Sequence, residues 1–162
     1  MTGAISPIPP MNTEVYMSTT DETIEQEIQA KGLTAPRVTP ADIEAAIARE
    51  YYFTAADGVL GACISDNVPM FADAQEPTSP LHLVTCCLLI THNGTKLFGV
   101  NEGPVSPENF DADMGRRMAR QKAIDQLWPM LGYELRSQLA KPVLTEADAA
   151  ADLAGLPRPS AG

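Results

Sequence analysis

The segment Gly115-Arg116-Arg117-Met118-Ala119-Arg120-Gln121-Lys122 concentrates four positive charges in a chain whose formal net charge is −10. Arg116 and Arg120 are four residues apart, so on a helix they project from the same face. Two guanidiniums on one face present planar forks of donors, a geometry suited to a phosphate or pyrophosphate. The competing reading is a solvated helix with local pairs such as Asp113–Arg117 and Arg117–Gln121. A ring stacked on a base, with an arginine pair on phosphates, is a minimal nucleotide site. Phe98, Phe110, Trp128 and Tyr133 are the available rings. The plainer assignment puts Phe110, Trp128 and Tyr133 in the core and leaves Phe98 as the ambiguous one.

Other chemistries find less support. On a strand His82 and Cys86 would be ~13 Å apart, too far to share one zinc ion. Cys86 and Cys87 point to opposite strand faces and read as buried small apolar residues. A catalytic Cys–His pair is open only to Cys63. No HExxH, DxDxDG or GxxxxGK pattern is present. No nucleophile is paired with a base, so a non-enzyme without cofactor or metal is expected.

The charge pattern narrows the partners. Residues 107–141 hold five acids and six bases and are the one locally positive segment. Binding to duplex nucleic acid needs an extended basic surface, which an acidic chain of this kind lacks. A small basic pocket remains compatible. No apolar run approaches the ~20 residues of a membrane span, and the N-terminal MTGAISPIPP does not read as a secretory signal. Three cysteines, two of them adjacent, do not form a disulfide framework. A reducing cytoplasm is the expected setting.

These side chains must be positioned by a modest core. The proline-rich residues 1–38 read as a disordered tail with a short helix over 20–31, and 142–162 as an Ala/Pro-rich tail. Residues 39–141 are expected to form a single domain. Thr39-Pro40-Ala41-Asp42 opens a helix, with Ile43, Ala46, Ile47 and Tyr51 at helical spacing and an end near Glu50–Phe53. Residues 59–80, with three prolines, read as a loop. LHLVTCCLLI (81–90) is the strongest strand signal, Asn93-Gly94 a tight turn, and TKLFGVN (95–101) the return strand. Ser106-Pro107-Glu108 reads as the cap of a long helix over 107–127, with Phe110, Met114, Met118, Ile124, Leu127 and Trp128 as its apolar stripe. Pro129 ends it, and Met130–Leu139 follows as a second short helix. The expected fold is α+β: a small antiparallel sheet (hairpin 81–101) against a long helix and shorter helices, in an oligomer.

Over residues 39–140 the chain resembles a small phage and prophage protein family. That family is named after gene products of a coliphage and a Shigella phage. The resemblance rests on Cys86 or Cys87 in an apolar strand, Asn93-Gly94, Gly99 to Glu102, Asn109-Phe110-Asp111, Gly115-Arg116 with Ala119, and Trp128 to Leu135. The family is similar to the first-type Thoeris anti-defence sponges. Those proteins bind cyclic ADP-ribose isomers made by bacterial TIR-domain enzymes, and some hold cyclic oligonucleotides of CBASS-type synthases. They sequester the signal uncleaved, in the host cytoplasm, as dimers or trimers of dimers. The resemblance implies Arg116 and Arg120 on phosphates and Phe98 and Asn101 around a base or ribose. One departure is Thr95, which follows Asn93-Gly94 where the family often has an aromatic. The alternatives are a phage protein-interaction module that docks on a host protein without a small ligand, and a nucleic-acid accessory protein.

Overall fold

The computed structural model describes residues 19–69, 71–141 and 145–159. Residues 1–18 of the expected N-terminal tail, and 142–144 and 160–162 of the expected C-terminal one, lie outside them. The fold is α+β: a three-stranded antiparallel sheet of order β1-β2-β3, with one long helix laid across β2 and β3.

Helix α1 (Thr19–Ala30) carries acids in its first turn and is joined to the rest by Arg37, which donates to Glu25 and pulls that carboxyl below its usual range. Helix α2 (Pro40–Ala46) has the expected cap. Thr39 and Asp42 form a reciprocal capping box, with proline in the first turn. These hydrogen bonds from Thr39 also hold the Asp42 carboxyl below its usual range.

The helix then stops much earlier than its spacing predicts. Ile47–Thr54 is strand β1, so the sheet has three strands rather than a two-stranded hairpin. The β-forming run Glu50-Tyr51-Tyr52-Phe53 alternates sides of the sheet, and pairing with β2 outweighs a short helical period. The expected loop at 59–80 is also corrected. Thr54 and Asp57 form a second capping box that starts α3 (Ala55–Asp66), which ends on Asn67 in the left-handed conformation. The short α4 (Ala72–Gln75) follows.

Strand β2 (Thr85–Thr91) is shorter than the expected 81–90. Ser79 and Pro80 instead set a 3-10 turn, Pro80–His82. His82 is therefore off the strand. Strand β3 (Lys96–Asn101) returns after a turn in which Gly94 alone takes a left-handed φ, +84°. The side chain of Asn93 organises that turn by accepting from Thr91 and Thr95.

Helix α5 runs unbroken over Ala112–Leu139 with Pro129 inside. The expected break at Trp128 does not occur. An interior proline costs about 3 kcal/mol. Offsetting it, Ile124 and Leu127 before the proline and Leu131 after it pack on one core. Asp111 caps the helix by accepting from Met114 N–H. Ser106-Pro107-Glu108 belongs instead to a separate 3-10 turn, Pro107–Asn109. The buried face of α5 is Gly115, Ala119, Ala123, Ile124 and Leu127, plus Arg120. Met114 and Met118, expected on it, are half-exposed on the outer side.

Small residues are required there because the helix lies on the sheet. A Cβ on Gly99 would come within 1.9 Å of the Ala119 carbonyl oxygen, and one on Gly115 within 2.6 Å of Thr85 Oγ1. The core of Ile43, Cys87, Leu89, Leu97 and these helix residues fills the space between α5, α2 and the inner sheet face. Helix α6 (Glu146–Leu153) closes the described chain.

Candidate functional site

The basic segment of α5 lies over the N-terminal half of the helix, and each of its charges has a different environment. Arg120 is 1% exposed. Its Nη2 donates to Glu44 Oε2 at 2.7 Å and to Glu50 Oε1 at 2.8 Å, and its Nε reaches Glu50 at 3.1 Å. Glu44 comes from α2 and Glu50 from the inner face of β1. Burial opposes the guanidinium charge, but hydrogen bonds to Glu50 and Glu44 outweigh it and push its pKa up. Tyr52 donates to Glu50 at 2.8 Å. Its phenol is pushed up, chiefly by burial, then by neighbouring Cys87 and Glu50. Arg120 is thus a clamp joining α5, α2 and β1. This corrects the expectation that Arg120 meets a phosphate: its donors already face two carboxylates inside the protein.

Lys122 also has a structural task. Its Nζ donates to Val100 O at 2.8 Å, and Gln126 Nε2 donates to Phe98 O at 2.9 Å. Two acceptors on the free edge of β3 are thereby satisfied from α5, which blunts that edge against another strand. Arg116 is half-buried and pairs with Asp113 at 3.5 Å, one helical turn back. The local pair expected with Arg117 is made by Arg116.

Arg116, Arg120, Phe98 and Asn101 do not converge within one chain. Asn101 lies on the inner sheet face at the end of β3, where its Nδ2 is 3.7 Å from the position of a Cβ on Gly115. Asn101 thus lies against Gly115 in the early turns of α5, while the neighbouring Arg116 is directed to Asp113. Phe98 is on the opposite, outer face. It is 47% exposed and stacks obliquely on Phe53, with ring centroids 6.2 Å apart.

The cysteines are buried: Cys63, Cys86 and Cys87 are all free thiols in the interior. Cys86 and Cys87 take opposite faces of β2, as the alternation predicts. Burial pushes the Cys87 thiol up to about 12, with the Glu50 charge acting in the same direction. The ring atom Nε2 of His82 is buried without a hydrogen-bond partner. Among the described residues no group of three His, Cys, Asp or Glu is placed to hold a metal ion, and no helix is long and apolar enough to cross a membrane. Of the other rings, Trp128 packs on the core, whereas Tyr133 is 75% exposed.

A cavity of about 260 Å³ lies at the other end of the domain. It is lined by Ala46, Thr91, His92, Leu127, Leu131 and Glu134. Periodicity did not reveal it, because its walls come from α2, the β2–β3 turn and the second half of α5.

The model of the phage protein (N4 Gp49/phage Sf6 gene 66) family matches residues 38–139. The chain belongs to that family. The matched span runs from just before the α2 cap to the end of α5. It holds the whole sheet, the Arg120 clamp and the Gly99 and Gly115 contacts of this N4 Gp49/Sf6 gene 66 family member. Helices α1 and α6 lie outside it. No curated protein and no solved structure matches the chain.

Proposed function

We propose that this phage-family protein binds and sequesters cyclic nucleotide immune signals, cyclic ADP-ribose isomers and cyclic oligonucleotides among them, without cleaving them. It does so in the host cytoplasm, as a homo-oligomer, and counters bacterial defence. The reading starts from the resemblance to Thoeris anti-defence sponges. The structural observation that supports it is the loosely engaged guanidinium of Arg116 near the start of α5. Arg116 keeps only a long, surface-exposed pair with Asp113, so an anion can compete for it. A guanidinium stays charged at every relevant pH and holds phosphate without a metal or a nucleophile. Phe98 lies on the other sheet face and does not reach a ligand at Arg116 of the same chain.

A second reading is a protein-interaction module that takes no small ligand. Its support is the apolar surface on the outer side of α5, where Met114 and Met118 are each about half exposed.

Incubation with cyclic ADP-ribose isomers and cyclic trinucleotides, followed by washing and heat release, separates the readings. Intact ligand recovered after denaturation is expected, and Arg116→Ala should lose it while still folding. Chemically altered ligand would make the protein an enzyme. No retained ligand would leave the interaction module.

A further inference from the structure

The outer face of the sheet is only partly covered. Its cross-strand rungs follow from the pairing register: Arg49–Ile90–Lys96, Tyr51–Leu88–Phe98 and Phe53–Cys86–Val100. Helix α3 covers the third rung, where Gly58 sits against the Phe53 ring and Cys86 is buried. The first two rungs form an open shelf beside that helix. Tyr51 is 46% and Phe98 47% exposed. Neither Arg49 nor Lys96 makes an ion pair among the described residues; Lys96 Nζ only approaches Gly94 O at 3.3 Å. None of the three rungs contains an acid.

In a chain of net charge −10, two unpaired cations on an acid-free face are placed for an anion. Each cation lies two residues along its strand from an exposed ring, ~7 Å away, and the two strands are ~10 Å apart across β2. The shelf thus repeats one arrangement twice: a ring for stacking beside a cation for phosphate. A second copy of the chain fits it poorly. Helix α3 stands as a wall at one end, which keeps a flat sheet from lying across the rungs, and the same face of another copy would bring cations rather than carboxylates.

We infer that this shelf binds a compact ligand of two phosphate-linked bases, one stacked on Tyr51 and one on Phe98, with phosphates held by Arg49 and Lys96. The inference rests on the sequestration reading and narrows it to cyclic dinucleotides and larger rings over single-base cyclic ADP-ribose. The surrounding acidity keeps long nucleic acid away.

The test is titration of the full chain with 3′,3′-cyclic di-AMP, cyclic ADP-ribose and a 12-residue oligothymidylate. Phe98→Ala, Tyr51→Ala, and Arg49→Gln with Lys96→Gln are compared, each checked by circular dichroism and sedimentation. Cyclic di-AMP is expected to bind tightest. Each ring variant should weaken it roughly tenfold. The double glutamine variant, which keeps side-chain bulk, should weaken binding and flatten its dependence on salt. If the wild type binds nucleotide and every shelf variant binds equally well, the shelf is wrong and the sequestration reading stands. If the wild type binds no nucleotide at all, both fall. Tighter binding of the oligothymidylate would overturn the compact ligand. An oligomer that falls to monomers in Phe98→Ala would assign the shelf to a second copy instead.

Discussion

Gly99 of β3 lies directly beneath the Ala119 carbonyl of α5, so close that an added methyl group would reach within 1.9 Å of that oxygen. The obstacle is backbone, not a side chain that can turn aside. The contact sets the height of the helix above the sheet, and with it where every α5 side chain arrives. Gly99→Ala is expected to destabilise the domain by about 3 kcal/mol or more, the upper range for forced overpacking. Urea unfolding followed by tryptophan fluorescence would measure it. An unchanged midpoint would mean that the helix can lift freely.

Removing the Arg120 clamp should be costly in a way that ligand experiments must respect. Arg120→Ala leaves Glu44 and Glu50 facing each other without a counter-charge. Breaking one side of a buried pair costs about 3–5 kcal/mol, and the lower end applies because both carboxylates keep some access to water. Arg116→Ala, at a half-exposed position, should cost under ~0.5 kcal/mol. Loss of ligand in Arg120→Ala would therefore report on the fold, and Arg116→Ala is the informative variant. Equal midpoints for the two variants in chemical denaturation would contradict the clamp.

Alkaline pH should loosen the core. The Cys87 thiol is raised from 9.0 to about 12 in the folded protein. A raised value means that the folded state holds the proton more tightly than the unfolded one. The resulting stability is complete below pH 9 and is lost as pH rises toward 12. Tyr52 shifts in the same direction. Thermal unfolding between pH 8 and 11 should show a falling midpoint above pH 9, reduced in Cys87→Ala. At pH 8 a disulfide-exchange reagent should label Cys87 only on the unfolding timescale.

The capped edge of β3 gives a fourth expectation. Lys122→Ala with Gln126→Ala frees the carbonyls of Val100 and Phe98 for another chain. Association that grows with protein concentration, seen by light scattering with the secondary structure retained, is the expected result. Unaltered association would show that these side chains do not guard the edge.

Local signals survived where the physics is local. The Thr39–Asp42 cap needs only three residues of spacing. The opposed faces of Cys86 and Cys87 need only a two-residue period. Another local signal, the Thr54–Asp57 box that starts α3, was present in the sequence but masked by the nearby prolines. The boundary between α2 and β1 was harder, because Ile43, Ala46, Ile47 and Tyr51 fit a helix and only cross-strand pairing with Leu88 and Cys87 decides for a strand. Pro129 misled in the opposite direction: proline ends an isolated helix, but here one core holds both sides of it.

The fate of the basic helix shows the division most clearly. Chain chemistry alone set the charges of Arg116, Arg120 and Lys122, their helical spacing and the locally positive segment. It could not say whom they meet, because Glu44 and Glu50 lie 76 and 70 residues from Arg120, and Lys122 meets a backbone carbonyl 22 residues away. Folding brings those acceptors within 3 Å and turns the same guanidinium that fits a phosphate on paper into an internal strut. Periodicity describes a residue's own element; a charge acquires its role from the partner that packing delivers.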